Sequence, residues 1–153
     1  MIERIRTNSH STEFRMLTGK LDAALKQLYG TTQDAFDRYN EIENLDTVVL
    51  AYWNGMPAGC GCFKPFDEGR VELKRMYVEP EFRRRGIAQA VLHELEDWAR
   101  ELGYAAMVLE TGTLQPQAIS LYSTEGYQII PNFDPYSGNE LSICMEKRFA
   151  AAF

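Results

Sequence analysis

The stretch from Val71 to Glu110 constrains the fold more than any other part of the chain. Val71–Val78 has strand character and stops at Glu79-Pro80. From Ile87 to Leu102 the apolar positions then recur with helical spacing. At 100° per residue they fall within one arc of about 140°, and Gly103 ends the run. Ala105–Glu110 returns to strand character. A strand, a helix and a second strand at these lengths form a β-α-β unit, which needs two parallel strands and a right-handed crossover.

The turn that opens this helix is Glu79-Pro80-Glu81-Phe82-Arg83-Arg84-Arg85-Gly86-Ile87-Ala88. A helix start leaves about four backbone N–H groups unpaired and carries about half a positive charge, so it holds an anion wherever small residues allow approach. Gly86 and Ala88 allow it, and three arginines precede them. The chain has a net charge of −6, yet six of its 16 basic residues lie between positions 70 and 85. One small polyanion fits that island. Nucleic acid does not, because neutralising many phosphates takes cations that the acidic remainder lacks.

The rest of the 153 residues reads as a single domain, with no repeat, linker or low-complexity tract. A weak first strand around Ile2 and Ile5 is followed by a helix from Thr12, as cap, through Leu17, Leu21, Leu25 and Leu28 to Gly30. A second short helix is expected around Asp34–Asn40. Asn54-Gly55 joins the strands Thr47–Trp53 and Met56–Phe63 in a hairpin. A short helix from Pro116 to Gly126 and strands Tyr127–Ile130 and Leu141–Phe149 complete an α/β (α+β type) chain. Its sheet is expected to be mixed and largely antiparallel, with helices on both faces. Cys60, Cys62 and Cys144 suggest neither a disulfide framework nor a metal site. The longest apolar run, Val48–Trp53, is far shorter than the ~20 residues of a membrane span, and a cytoplasmic location without membrane attachment is expected.

Arg83-Arg84-Arg85-Gly86-Ile87-Ala88 matches the (Gln/Arg)-x-x-Gly-x-(Gly/Ala) pyrophosphate loop of the GNAT-type acetyl-CoA-dependent N-acetyltransferases. Upstream, Glu72–Val78 resembles that family's central strand. Downstream, Gln117-Ala118-Ile119-Ser120-Leu121-Tyr122 with Gly126-Tyr127 resembles its last helix and the strand after it. The resemblance runs from about Val48 to Phe149. Two positions depart from the family pattern: Arg84 stands where members commonly have Gly, and Gln117 where many have Asn.

The resemblance implies a fold, a cosubstrate and roles. Residues 1–45 would form the acceptor side, 46–110 the hairpin, central strand and pyrophosphate loop, and 111–153 the closing helix and strands. The backbone of Met76, Tyr77 and Val78 would bind the pantetheine arm of acetyl-CoA, and the amides of Arg83, Arg84, Arg85, Gly86, Ile87 and Ala88 its pyrophosphate, with Gln117 a further coenzyme-binding residue. Acetyl transfer to an amine requires removal of the amine's proton, a polarised carbonyl and a donor for the departing thiolate. Tyr122 matches the tyrosine that members place beside the coenzyme sulfur. Glu72 matches a strand glutamate that acts as base in some members, and strand alternation would set it on one face with Lys74, Met76 and Val78. Glu110, at the end of the parallel neighbour, is the other candidate base.

His93 reads as a solvated surface histidine and Ser120 as no nucleophile. The loop Pro131–Glu140 is either a lid over the acceptor pocket or a plain surface loop. A small amine or amino-acid-like acceptor suits the acidic chain, with a peptide acceptor or a non-catalytic acyl-CoA sensor as the competing functions. Homodimerisation through exposed aromatics is left open.

Overall fold

A computed structural model describes residues 1–30 and 44–150. Seven strands form one sheet in the order β1-β2-β3-β4-β5-β7-β6. They are β1 (Ile2–Thr7), β2 (Val48–Trp53), β3 (Met56–Pro65), β4 (Arg70–Val78), β5 (Ala106–Gly112), β6 (Gln128–Ile130) and β7 (Ser142–Arg148). The helices among the described residues are α1 (Thr12–Tyr29), α2 (Ile87–Glu101) and α3 (Pro116–Thr124), with a 3-10 turn at Pro80–Phe82. The expected helix at Asp34–Asn40 lies outside the described residues.

Every neighbouring pair is antiparallel except β4 and β5, as the β-α-β pattern requires. That parallel pairing is brief. It joins Arg70, Val71 and Glu72 to Ala106, Met107 and Val108, and beyond these rungs the two strands part. Asn54 (φ 48°) and Gly55 (φ 84°) make the two left-handed positions that close the β2–β3 hairpin.

The two faces of the sheet carry separate cores. Val71, Leu73, Met107, Leu109 and Met145 pack with Val91, Leu92 and Leu95 of α2. On the other face Phe14, Leu17 and Leu21 of α1 cover Val48, Leu50, Cys60, Cys62 and Tyr77. Helix α2 lies close to β3 because Gly59 and Gly61 present no side chain there. A Cβ on Gly59 would meet Ile87 Cγ2 at 2.9 Å, and one on Gly61 would meet Met76 Sδ at 2.5 Å.

Several expectations are corrected. Ser11, not Thr12, caps α1: its hydroxyl accepts from the Phe14 amide at 3.2 Å. Leu28 and Leu102 are exposed, each in the last turn or cap of its helix. Glu72, Lys74, Met76 and Val78 do not share a face. Arg75 adopts φ 62° in a β-bulge, so Arg75 and Met76 together oppose Gly61, and the alternation flips. Glu72 and Lys74 face the α1 side, whereas Met76 and Val78 face α2. The bulged Arg75 reaches α1, donating to Thr18 O at 3.0 Å and pairing with Asp22 at 2.8 Å.

Candidate active site

A cleft of about 750 Å³ opens on the α2 face beside the end of β4 that has left β5, and neither of the expected carboxylates, Glu72 and Glu110, lines it. Met76, Tyr77 and Val78 form one wall, and Arg83, Arg84, Gly86, Ile87 and Ala88 close one end. Gln117 and Tyr122 come from α3.

Gly86 caps α2 with φ 79° and has no side chain to offer the helix's first amides. The first helical hydrogen bond runs from Ala90 N to Gly86 O, so the amides of Ile87, Ala88 and Gln89 have no acceptor within the helix. Arg84 also sits at positive φ, 66°. Left-handed positions in such a turn gather backbone N–H groups into a concave anion cradle. Bare amides, a small-residue helix start and the Arg83 and Arg84 side chains therefore fit a pyrophosphate. Arg83 is held by a bond from its Nε to Val78 O at 3.0 Å. Arg85 is not part of the lining; its guanidinium lies over the Trp53 ring, 4.8 Å from the centroid.

Residues the sequence reading passed over also line the cleft: Pro80, Phe82, Gln89, Ala118 and Leu121. The helical period held a signal for two of them. Ala118 and Leu121 share one face of α3 with Gln117 and Tyr122, at spacings of one, four and five residues.

Tyr122 is 6% exposed and packs edge-on against Tyr127, with ring centroids 5.7 Å apart. Burial, and secondarily the charge of Glu110, push its phenol well above the ordinary tyrosine value. Glu110 lies on the opposite face of β5 from Leu109, partly buried, and accepts a hydrogen bond from Ser142 Oγ at 2.7 Å. Burial raises its carboxyl above the usual range, against the lowering effects of the Ser142 hydroxyl and the Lys74 charge. Glu72, on the same face, is 6% exposed and sits 3.3 Å from Lys74 Nζ. Glu72 thus occupies the last parallel rung, and Glu110 lies just past it where the strands open.

The Pro131–Glu140 loop forms a fixed wall beside this cluster. Asn132 Nδ2 donates to the carbonyls of Tyr136, Asn139 and Ser142 at 3.3, 3.2 and 3.0 Å. Tyr136 is 1% exposed, its hydroxyl accepts from Lys74 Nζ at 3.1 Å, and Phe133 packs edge-on against Phe66. His93 is half exposed and paired with Glu125 rather than simply solvated. The three cysteines are buried and unbridged. Burial pushes the Cys62 thiol up to about 12 and that of Cys144 to about 11. No helix among the described residues is long and apolar enough to cross a membrane.

This sheet, splayed beside a phosphate-cradling helix start, is the fold of the acyl-CoA N-acyltransferases. It superposes at a TM-score of 0.77 on a Klebsiella pneumoniae protein assigned to that class, 30% identical and covering 97% of this chain and 96% of that one. It shares the fold of the PaiA N-acetyltransferase of Thermoplasma acidophilum, solved with coenzyme A, at a TM-score of 0.70 and 16% identity over 97% of this chain and 99% of that one. The sequence profile of the Acetyltransferase (GNAT) family matches residues 16–127. An uncharacterized N-acetyltransferase of Bacillus subtilis, YsnE, is 30% identical over 70% of this chain and 75% of its own length. The IAA acetyltransferase of Azospirillum brasilense is 39% identical over 65% of this chain, and that match spans 65% of the relative. The chain belongs to the GNAT acetyltransferase family, whose members use acetyl-CoA to acetylate amines.

Proposed function

We propose that this chain transfers the acetyl group of acetyl-CoA directly to the primary amine of a small, amino-acid-like acceptor. The observation that carries this is the cleft itself. It runs between bare helix amides suited to a pyrophosphate and a buried tyrosine that feels a carboxylate across the parted strands.

In this reading the amides from Arg83 to Ala88 and the Arg83 and Arg84 side chains hold the pyrophosphate. The backbone of Met76–Val78 pairs with the pantetheine arm as an added strand would, and Gln117 lies alongside. The acceptor enters from the α1 face, where Glu110 and Glu72 are the two candidate bases for its amine. Burial keeps the Tyr122 phenol protonated, as a donor to the departing thiolate must be. Direct attack is favoured because the buried cysteine thiols are held in their unreactive protonated form. The net charge of −6 and the IAA acetyltransferase relative support a small acceptor over a polyanion.

The test is calorimetric titration with acetyl-CoA, followed by thiol release against a panel of amines, amino acids and short peptides. Binding with turnover of a small amine is expected. Binding without any turnover would favour an acyl-CoA sensor, and absence of binding would overturn the reading.

A further inference from the structure

Two carboxylates face the acceptor side, and their surroundings are unequal. Glu72 is bound to Lys74, whose side chain is only 11% exposed. Lys74 is fixed in turn by its bond to the buried Tyr136 hydroxyl and by that ring, 5.7 Å from its ammonium. A buried ion pair in which the cation is held from a second side is a closed unit, and separating it would strand a charge. Glu110 makes one hydrogen bond, from Ser142 to Oε2, and its Oε1 has no donor among the described residues. It also stands on the stretch of β5 that β4 has left, where its charge reaches Tyr122 and raises the phenol.

We infer that Lys74 is a positioning residue that divides the work between these carboxylates: it ties Glu72 into an ion pair and leaves Glu110 to take the acceptor's proton. This rests on the acetyl-transfer reading and adds to it the choice of base and the residue that makes the choice. Glu110 takes a proton from the acceptor ammonium, and the freed nitrogen bonds to the acetyl carbonyl carbon. The C–S bond breaks, the sulfur leaves with the Tyr122 proton, and the nitrogen's surplus proton replaces it. Among the described residues, the groups that interact with Glu110 are Lys74 and Glu72 from β4, Cys144 and Ser142 from β7, Tyr122 from α3 and Tyr29 from α1. Lys74 is the only cation among them, and with Ser142 it favours the ionised form.

Two measurements test the assignment. The first is kcat/KM against pH for wild type, E110Q and E72Q, with acetyl-CoA affinity as a control for folding. E110Q should lose about 10²-fold or more and its acid limb, the usual size of a general-base contribution. E72Q should lose less than about 10-fold and keep the limb. The second is a carboxyl NMR titration of Glu110 in the substrate-free chain. K74M and S142A should each move its midpoint to higher pH, and K74R should restore it. Equal losses in E72Q and E110Q, an acid limb that disappears with Glu72, or a Glu110 midpoint unmoved by K74M would overturn the assignment. A wild type that binds acetyl-CoA and acetylates no amine would sink the base role together with the transfer reading, whereas turnover with the E72Q pattern reversed would sink this inference alone.

Discussion

The two sides of the gap between β4 and β5 are built on different terms. On the α2 face the cleft is made of main chain and small residues: strand backbone at Met76–Val78, bare amides at Gly86–Ala88, and glycines beneath the helix. The α1 face, outside the lining of that cleft, carries instead a cluster of side chains that depend on one another: Glu72 with Lys74, Lys74 with Tyr136, and Glu110 with Ser142. A surface of backbone groups tolerates substitution wherever the chain path is kept. A cluster of paired side chains tolerates little, since removing one partner leaves another buried without its charge or hydrogen bond. The first kind suits a ligand common to a whole family, and the second an acceptor particular to one chain.

Four substitutions would sharpen or break this contrast, from the largest effect down. Tyr122→Phe, which removes the proton donor assigned to the α2 face, should lower turnover by about 10²-fold with acetyl-CoA affinity unchanged. An equal fall in affinity would show that Tyr122 serves the cleft by packing alone. Asn132→Ala removes three hydrogen bonds from the wall on the α1 face. It should cost about 2 kcal/mol and lower the melting temperature by roughly 4–8 °C. The variant should keep acetyl-CoA binding and lose acceptor selectivity, and unaltered selectivity would remove the wall from the acceptor site. Arg83→Ala should weaken acetyl-CoA binding by about 10-fold, as expected for one charge-assisted phosphate contact, and make binding less salt-sensitive while saturated turnover stays level. Arg84→Gly should change stability by less than about 1 kcal/mol, since relief of a left-handed arginine offsets the freedom glycine adds to the unfolded chain. A large loss of coenzyme binding in that variant would show that Arg84 acts through its side chain.

The same contrast explains what could be read from sequence. The β-α-β unit, the hairpin at Asn54-Gly55 and the anion-binding turn follow from local chemistry: period, turn residues and a glycine before a helix. These are the features that set the order of elements and the coenzyme end of the cleft. The acceptor side was less legible because it depends on tertiary partners. Nothing local marks Arg75 as a left-handed bulge. Its conformation is fixed by pairing with β3 and by the reach to α1, and that single extra residue turned Met76 and Val78 away from Glu72. Arg85 looked like one cation of three, but Trp53, brought beside it by the β2–β3 hairpin, draws it out of the lining. Lys74 as a neighbour of Tyr136 joins residues 62 positions apart, a contact that only the folded sheet creates.

Gly59 opposes Val78 in the sheet and lies against Ile87, the first residue of α2. The missing side chain thus acts as a spacer of zero thickness between the strand that would hold the coenzyme's arm and the helix start that would hold its phosphates. A methyl group at position 59 would press on Ile87 and on the Tyr77 carbonyl, at 2.9 and 3.0 Å, and pry the two grips apart. Each grip could survive intact and still miss a ligand of fixed length, so residue 59 works as the gauge of the cleft although it does not line it.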